Sequence, residues 1–449
     1  MTTPSTIDVT DLTVTDAAQL ISSCAVTPIE LLDAYLARLS AVEPRVQAWS
    51  HLDVGTARAE ADRLSREAAA GRIRGPLHGI PVGVKDEFHV AGMPNLMADP
   101  KGRPQPEDAT AVARLRAAGA IILGKTHMPL DGRMPPTRNP WNLEHTAGGT
   151  SSGSGAAVAA RMVPIALGEQ TYGSNLRPAA YCGVDGLKPT FGRVSLFGCY
   201  PFSWSLDHVG LIGLTIQDIA LVLSVIAGPD PCDPRTLPEP APPGDLSLSA
   251  IRPPRIGVVR NSYPERTEQV MLEAIERSTG RMQEAGAAVE DIVLPPEFEL
   301  LWTIQPVIGS SEAYTFHSRR RAGEGGARTP ARDRVASLLP APYYLQAQRI
   351  RRMLSQKLQA LYTDVDALLM AVAPGPAPKG LDSAGDPTLL VPWSDVGFPA
   401  ITVNGGLSPE GLPLGLQLVG APVTDYELLR TGAWSEQVLG RLPAPSIET

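Results

Sequence analysis

Residues 148–188 have the sequence GGTSSGSGAAVAARMVPIALGEQTYGSNLRPAAYCGVDGLK. Two loops of small residues, 148–155 and 168–174, flank an alanine-rich helix and a short apolar segment, 163–167, that is typical of a buried strand. Gly and Ser at this density let one backbone approach another backbone, or a ligand, very closely. The stretch therefore predicts a tightly packed helix–strand unit whose two loops can surround a small molecule.

Two interpretations of these loops differ in their chemistry. A phosphate-binding loop would need a Lys after its glycines, or a G-x-G-x-x-G pattern after a strand, and neither is present. A nucleophile on a Gly-rich turn is the second interpretation, with Ser174 following Gly173. Backbone N–H groups in such a turn can stabilise a developing oxyanion. A lone Gly-Ser pair is usually only a turn, so a nucleophile at Ser174 needs support from the rest of the chain.

The overall composition argues against several classes of protein. The chain has 449 residues, a net charge of −8 and no basic stripe, so nucleic-acid binding is not expected. Its four cysteines form no C-x-x-C pair and its seven histidines no H-E-x-x-H pattern, so we expect no metal and no disulfide framework. No segment approaches the ~20 apolar residues of a membrane span, and the N-terminus lacks a signal core. We expect a cytoplasmic protein without a cofactor.

Helical and strand patterns alternate along most of the chain. Helices are expected in the first 70 residues, beginning at the capped start Thr27-Pro28-Ile29-Glu30, and later at 108–118, 215–226 and 267–285. Strands are predicted at 80–85, 120–124, 163–167, 255–259, 289–293, 367–370, 400–403 and 414–419. This alternation predicts an α/β fold with a buried sheet and helices on its faces.

The domain organisation depends on residues 229–254, which are rich in Pro and Asp and could pass for a boundary. We favour one domain over 1–449: N-terminal helices (1–70), a core (75–228), a connecting loop (229–254), and the remaining sheet, helices and a pocket lid (255–449). Residues 318–332, rich in Gly and Arg, are predicted to be a mobile, solvated loop.

The chain resembles the amidase signature family over nearly its whole length. The resemblance is most specific over 148–188, and further matching segments follow in order: GIPVGVKD (79–86), GKT (124–126), TRNPWN (137–142), SLD (205–207) and GLPLGLQ (411–417). It implies an amidohydrolase whose twisted, mixed central sheet is covered by helices on both faces. A subgroup with a Q-T-x-G-S-x-x-R-P loop, which includes aryl-acylamidase-like and urethane-hydrolysing members, looks similar.

The family uses a Ser–cisSer–Lys triad, and the resemblance places its lysine at Lys85 and its nucleophile at Ser174. The middle position follows the paired glycines and falls on Thr150, at the family spacing (174 − 150 = 24). This sequence therefore has threonine where the family usually has serine. The resemblance assigns the oxyanion hole to the backbone N–H groups of Thr171, Tyr172 and Gly173, together with that of Ser174 itself.

The chemistry explains why these residue types are needed. A serine hydroxyl is a weak nucleophile until a base takes its proton, and a buried lysine can be that base if desolvation keeps it neutral. Thr150 would relay the proton, because a hydroxyl both donates and accepts. The family implies a cis peptide bond at Gly149–Thr150. Since the added methyl group stiffens χ1, we expect retained but reduced activity.

The substrate is expected to be a small amide. Segments outside the motifs are largely apolar, which favours an aryl or hydrophobic amide, a carbamate (urethane) or an ester. Candidate substrate-binding residues are Met97, Gly149, Tyr200 and Trp204. We expect a monomer or a homodimer that binds no membrane. Two alternatives stay open: a glutaminase-like subunit of a transamidation complex, and a member silenced by Thr150.

Overall fold

The structure is a computed structural model that describes residues 9–130, 132–323 and 335–447, with the side chains of 319–323 left out. Its helices are α1 (Val14–Ser22), α2 (Pro28–Val46), α3 (Val54–Ala69), α4 (Thr110–Ala117), α5 (Ser152–Ala159), α6 (Leu176–Tyr181), α7 (Ile216–Ile226), α8 (Gln269–Glu284), α9 (Leu300–Gly323), α10 (Ala341–Gln359), α11 (Val391–Asp395) and α12 (Asp425–Leu439). Its strands are β1 (Trp49–Leu52), β2 (Pro81–Lys85), β3 (Ile121–Thr126), β4 (Arg138–Asn139), β5 (Asn142–Thr146), β6 (Ile165–Gln170), β7 (Asp185–Lys188), β8 (His208–Gly213), β9 (Arg255–Val259), β10 (Ala288–Ile292), β11 (Ala367–Ala371), β12 (Ala400–Leu407) and β13 (Pro413–Val419).

A mixed sheet forms the centre of the molecule. Within the described ranges its 11 strands follow the order β1-β3-β2-β6-β8-β7-β12-β13-β11-β9-β10. Strand β2 lies parallel to both β3 and β6, whereas β7 and β12 pair antiparallel, with Leu187 opposite Ile401. This last pairing joins strands from before and after residues 229–254 in one sheet. The predicted mixed α/β architecture is confirmed.

Alternation along β3 shows that both faces of the sheet are packed. Ile121 and Leu123 belong to one apolar cluster, and Ile122 between them belongs to another. Successive side chains of a strand point to opposite faces. Each face is therefore covered by its own apolar layer, which the flanking helices complete.

Local signals in the sequence account for several element boundaries. Helix α2 begins after Thr27, whose side chain and that of Glu30 form the expected capping box. Strand β6 continues to Gln170, so the loop predicted at 168–174 is shorter than expected. Residues 319–321, predicted to be loop, lie in α9, and 324–332 lie outside the described residues. No helix in the described part of the chain has the length and apolarity needed to cross a membrane.

Candidate active site

Helix α5 explains the small residues of the first loop. All eight of its residues are buried. A Cβ atom on Gly153 would lie 2.3 Å from the carbonyl oxygen of Ala48 and 2.4 Å from the backbone nitrogen of His127. Only glycine fits at that distance, because real side chains do not approach backbone so closely. The small residues thus allow the start of α5 to pack against the carboxyl ends of β2 and β3.

Lys85 ends β2, and its ammonium is the centre of the site. The side chain is fully buried. Its Nζ lies 2.7 Å from Thr150 Oγ1 and 2.9 Å from Glu169 Oε2, both in hydrogen-bonding geometry. Glu87 Oε1 also lies 2.9 Å from Nζ, but off the hydrogen-bonding direction. Two carboxylates and one hydroxyl therefore surround a single amine.

These carboxylates reverse the charge state expected for Lys85. Burial acts to lower the pKa of its ammonium, but the carboxylates of Glu169 and Glu87 raise it by more. The net pKa of Lys85 lies above the ordinary lysine value. The expectation that desolvation would keep this lysine neutral is wrong, because two counterions outweigh the loss of water.

Thr150 reaches Lys85 through a turn of two glycines. Gly148 and Gly149 have φ values of 81° and 60°, a region that glycine enters without steric cost. The Gly149–Thr150 peptide bond is not cis, contrary to the expectation. The two left-handed glycines turn the chain instead, and they direct the threonine hydroxyl at the amine.

Ser174 lies beside this turn. The backbone N–H of Ser151 donates to the carbonyl oxygen of Ser174 at 2.9 Å, so the residue after Thr150 is tied to the serine. Ser174 is 8% exposed. Among the described residues, no acceptor is hydrogen-bonded to the backbone N–H groups of Thr171, Gly173 or Ser174. Such donors are available to a developing oxyanion.

Gln170 fixes the loop that carries Ser174. Its Oε1 accepts from the backbone N–H groups of Asn175 (3.1 Å) and Leu176 (3.0 Å), and its Nε2 donates to Ser394 Oγ (3.0 Å). The Ser394 hydroxyl in turn donates to the carbonyl oxygen of Tyr172 at 2.8 Å. An ionised acid at position 170 could accept these bonds but not donate, so glutamine suits this position.

Thr171 connects the oxyanion loop to two acidic side chains. Its hydroxyl lies 2.9 Å from Glu169 Oε1 and 2.7 Å from Asp207 Oδ1. Asp207 Oδ2 also accepts from the backbone N–H groups of Phe202 (2.8 Å) and Ser203 (2.9 Å). Burial, and then the nearby charge of Glu169, raises the pKa of Asp207 to about 8.

Other polar residues near the motifs have structural contacts. Among the described residues Asp207 and Arg177 form no ion pair with each other: Asp207 anchors loops, and Arg177 Nε and Nη1 are buried without a partner. Ser154 hydrogen-bonds Thr126 Oγ1 (2.7 Å) and the carbonyl oxygen of Leu167 (2.9 Å). Its role is therefore to hold α5 on the sheet.

The candidate substrate-binding residues lie in different surroundings. Met97 lines a cavity of about 420 Å³ that Asp86 also lines. Gly149 belongs to the turn beside Ser174. The Tyr200 ring stacks on His317 of α9, with 3.0 Å between its hydroxyl and the imidazole Nδ1. Trp204 is 57% exposed, and the guanidinium of Arg235 covers its ring, so the structure does not place it beside the triad positions.

Glu87 and Glu169 were not predicted from the sequence as site residues. Each lies just beyond or at the end of a predicted strand, in K-D-E and G-E-Q. A buried lysine needs counterions, so an acid near the ends of neighbouring strands was the available signal. No group of three or more His, Cys, Asp or Glu side chains that could hold a metal ion occurs in the part of the chain that the structure describes.

Comparison with known proteins identifies the family. Residues 30–429 match the Amidase family. The chain is 36% identical to a glutamyl-tRNA(Gln) amidotransferase subunit of Roseiflexus castenholzii, over 94% of each chain. Its structure is similar to the native peptide amidase of Stenotrophomonas maltophilia (TM-score 0.83, 29% identity, 98% of this chain and 99% of that one).

Two further solved structures are similar. The corresponding glutamyl-tRNA(Gln) amidotransferase subunit of Thermotoga maritima superposes with a TM-score of 0.84 at 28% identity, over 99% of both chains. A chain from a vestigial protein complex related to the origins of an s-triazine catabolic enzyme has a TM-score of 0.88 at 31% identity, over 96% of this chain and all of that one. The chain belongs to the amidase family, and it is an amidohydrolase that acts on the C–N bonds of amides.

Proposed function

We propose that this amidase works through an acyl-enzyme on Ser174, with Thr150 as proton relay and Lys85 as the base behind it. The observation that carries the proposal is the 2.7 Å hydrogen bond between Lys85 Nζ and Thr150 Oγ1. The bond from the Ser151 N–H to the Ser174 carbonyl keeps this relay beside the nucleophile. In the described part of the chain, no acceptor takes the Thr150 hydroxyl proton, so that hydroxyl remains available for exchange.

The proposed reaction is acyl transfer in two halves. Ser174 Oγ attacks the substrate carbonyl while its proton passes to Thr150, which gives its own proton to the Lys85 group. The backbone N–H groups of Thr171, Tyr172 and Gly173, with that of Ser174, stabilise the oxyanion. The proton returns along the same path to the leaving amine, and water then hydrolyses the ester on Ser174.

We propose an aryl or hydrophobic amide as the substrate, with carbamates and esters of the same shape as further candidates. The cavity beside Asp86 supports this choice, because its other walls are mostly apolar: Leu96, Met97, Met128, Leu130, Met134, Pro135 and Pro136. Aromatic side chains add a second apolar surface, since Tyr172 and Phe202 pack edge-to-face at 5.8 Å. Apolar walls with few polar groups favour the burial of a hydrophobic group.

A panel of substrates tests this function. The enzyme is assayed on an aliphatic amide, 4-nitroacetanilide, an aryl carbamate and a 4-nitrophenyl ester, with Ser174→Ala as the control. We expect hydrolysis of the aryl substrates, and its loss in the control variant. A fluorophosphonate probe should label Ser174, as mapped by mass spectrometry. An unlabelled Ser174 in folded protein would contradict the acyl-enzyme and favour the silenced alternative.

A second candidate is supported by the named relatives, which include subunits of glutamyl-tRNA(Gln) amidotransferases. Under this proposal the chain would release ammonia from glutamine as part of an assembly. Glutamine hydrolysis and co-purification of a stoichiometric partner from the native host are the expected observations. An isolated chain that cleaves anilides but not glutamine would reject it.

A further inference from the structure

The surroundings of Lys85 pose a problem for its role as base. An ammonium has three protons and no lone pair. Its three closest polar contacts in the described part of the chain are Thr150 Oγ1, Glu169 Oε2 and Glu87 Oε1, and the carbonyl oxygen of Glu169 lies further away, at 3.5 Å. Before the amine can accept a proton from Thr150, it must therefore give one to a neighbouring carboxylate.

The Thr171 hydroxyl indicates that a carboxyl group of this cluster already holds a proton. That hydroxyl has one proton, yet it lies 2.9 Å from Glu169 Oε1 and 2.7 Å from Asp207 Oδ1. An ionised carboxylate only accepts, so the hydroxyl can satisfy one of the two. The second short contact is favourable only if that carboxyl is protonated and donates. The chain Lys85–Glu169–Thr171–Asp207 thus forms a continuous path of exchangeable protons.

We propose that Glu169 is a positioning residue that takes a proton from the Lys85 ammonium and so makes its amine available to Thr150. The inference rests on the proposed acyl-enzyme function. In the forward step the Ser174 proton moves to Thr150 Oγ1, the Thr150 proton moves to Lys85 Nζ, and a Lys85 proton moves to Glu169 Oε2. Thr150 and Lys85 each receive one proton and give one, so that Glu169 gains the proton that Ser174 loses. When the tetrahedral intermediate collapses, the proton transfers run in the opposite direction and the leaving amine is protonated.

Geometry selects Glu169 over Glu87 for this step. Of the two carboxylates, only Glu169 meets hydrogen-bonding geometry with Lys85, and only Glu169 continues through Thr171 to Asp207. Glu87 contacts the ammonium from the side, and its charge tunes the proton affinity of the cluster. Burial, partly offset by Lys85 and reinforced by Glu169, raises the pKa of Glu87 to about 8.

The proposal predicts a direction for the pH dependence. As the pH falls, Glu87 and Asp207 take up protons, the negative charge that favours proton transfer away from Lys85 is lost, and the rate falls. The acid limb should lie near the raised pKa of about 8 that Glu87 and Asp207 share. The titratable and charged groups that face this cluster from the packed elements are Lys85, Asp86, Glu87, Lys125, Glu169, Cys199 and Asp207.

The test measures the rate of Ser174 labelling by a fluorophosphonate from pH 5 to pH 10. The labelling rate reports the reactivity of Ser174 and does not depend on knowing the natural substrate. E169Q should label about 100-fold more slowly than wild type, and E169D should recover most of that loss. E87Q should lose less than tenfold and move the acid limb to lower pH, because one negative charge fewer lowers the proton affinity of the cluster. E436Q, which changes a partly buried acid outside the cluster, is the control and should keep the wild-type profile.

Each result decides a separate point. If E169Q is labelled at the wild-type rate and the acid limb of its pH profile does not move, the inference is overturned, while the proposed acyl-enzyme mechanism still stands. The inference is also overturned if E169Q is labelled slowly but the acid limb of E87Q stays where it is in wild type, because a purely structural role of Glu169 predicts that pattern. If thermal unfolding shows that E169Q does not fold, the profiles of E169D and E87Q decide. A wild-type enzyme that is not labelled at Ser174 overturns the proposed function itself.

Discussion

Two buried lysines on neighbouring strands show what distinguishes a reactive amine from a structural one. Lys85 ends β2, and Lys125 lies on β3 opposite Val84; both side chains are fully buried. Lys125 Nζ donates to Asp86 Oδ1 (2.9 Å) and to the carbonyl oxygens of Phe88 (2.8 Å) and Pro94 (3.1 Å). Burial lowers the pKa of Lys125, and its one carboxylate only partly offsets this.

The difference lies in the partners and not in the burial. The partners of Lys125 are a carboxylate and two backbone carbonyls, which fix the loop after β2 and include no hydroxyl that could pass a proton to the amine. Lys85 instead contacts a hydroxyl and two carboxylates, all of which can exchange protons. Of these two lysines, the one with the lower pKa is Lys125, whereas the one with a hydroxyl partner is Lys85.

The largest predicted effect is that of Lys85→Met. Without the amine the relay ends at Thr150, so the labelling rate of Ser174 and turnover should both fall by about 10³-fold or more. Stopped assays on folded variant enzyme, compared with wild type at pH 8, measure this loss. Activity within tenfold of wild type would show that Lys85 is not the base, and that its hydroxyl partner does not distinguish it from Lys125.

Thr150→Val is predicted to have the next largest effect. Valine keeps the branched shape of threonine but has no hydroxyl, so it breaks the relay without opening a cavity. We expect turnover to fall by about 10²- to 10³-fold, a loss typical of general acid–base groups. Circular dichroism and the thermal unfolding midpoint serve as the control for folding. Unchanged turnover would mean that Lys85 reaches Ser174 by another route.

Lys125→Met should affect stability and spare the chemistry. The substitution leaves Asp86 buried without its counterion, which should cost about 3–5 kcal/mol in the free energy of unfolding. Urea titration measures the loss, while turnover per folded molecule should stay within a few-fold of wild type. A variant of normal stability that has lost turnover would assign Lys125 a part in the reaction.

The motifs predicted where Lys85 and Thr150 lie, but not what surrounds them. Both positions are set by short segments around β2 and α5, which the sequence displays directly. The contacts of Glu169 with Lys85 depend instead on the parallel pairing of β2 with β6, and those of Asp207 on a loop more than 30 residues further along the chain. Such long-range contacts leave no local pattern.

Similar reasons apply to the fold. Strands with apolar runs, such as β3 and β13, were predictable because both of their faces are buried. Strand β10 was predicted from its alternation with α8, although it is largely exposed at the edge of the sheet. Helix α9 was not predicted, because Pro306 within it is a residue that usually ends a helix.

The smallest predicted effect concerns the methyl group of Thr150. Threonine already provides the hydroxyl that accepts from Lys85 at 2.7 Å, so the relay exists in this chain. The added methyl restricts χ1, and hydroxyl rotation between Lys85 and Ser174 has fewer accessible orientations. Thr150→Ser should therefore raise turnover by about two- to tenfold without moving the acid limb of the pH profile, since no charged group changes. Equal turnover in both enzymes would show that the methyl group does not limit the relay, and that proton transfer within the Lys85–Glu169 pair sets the rate instead.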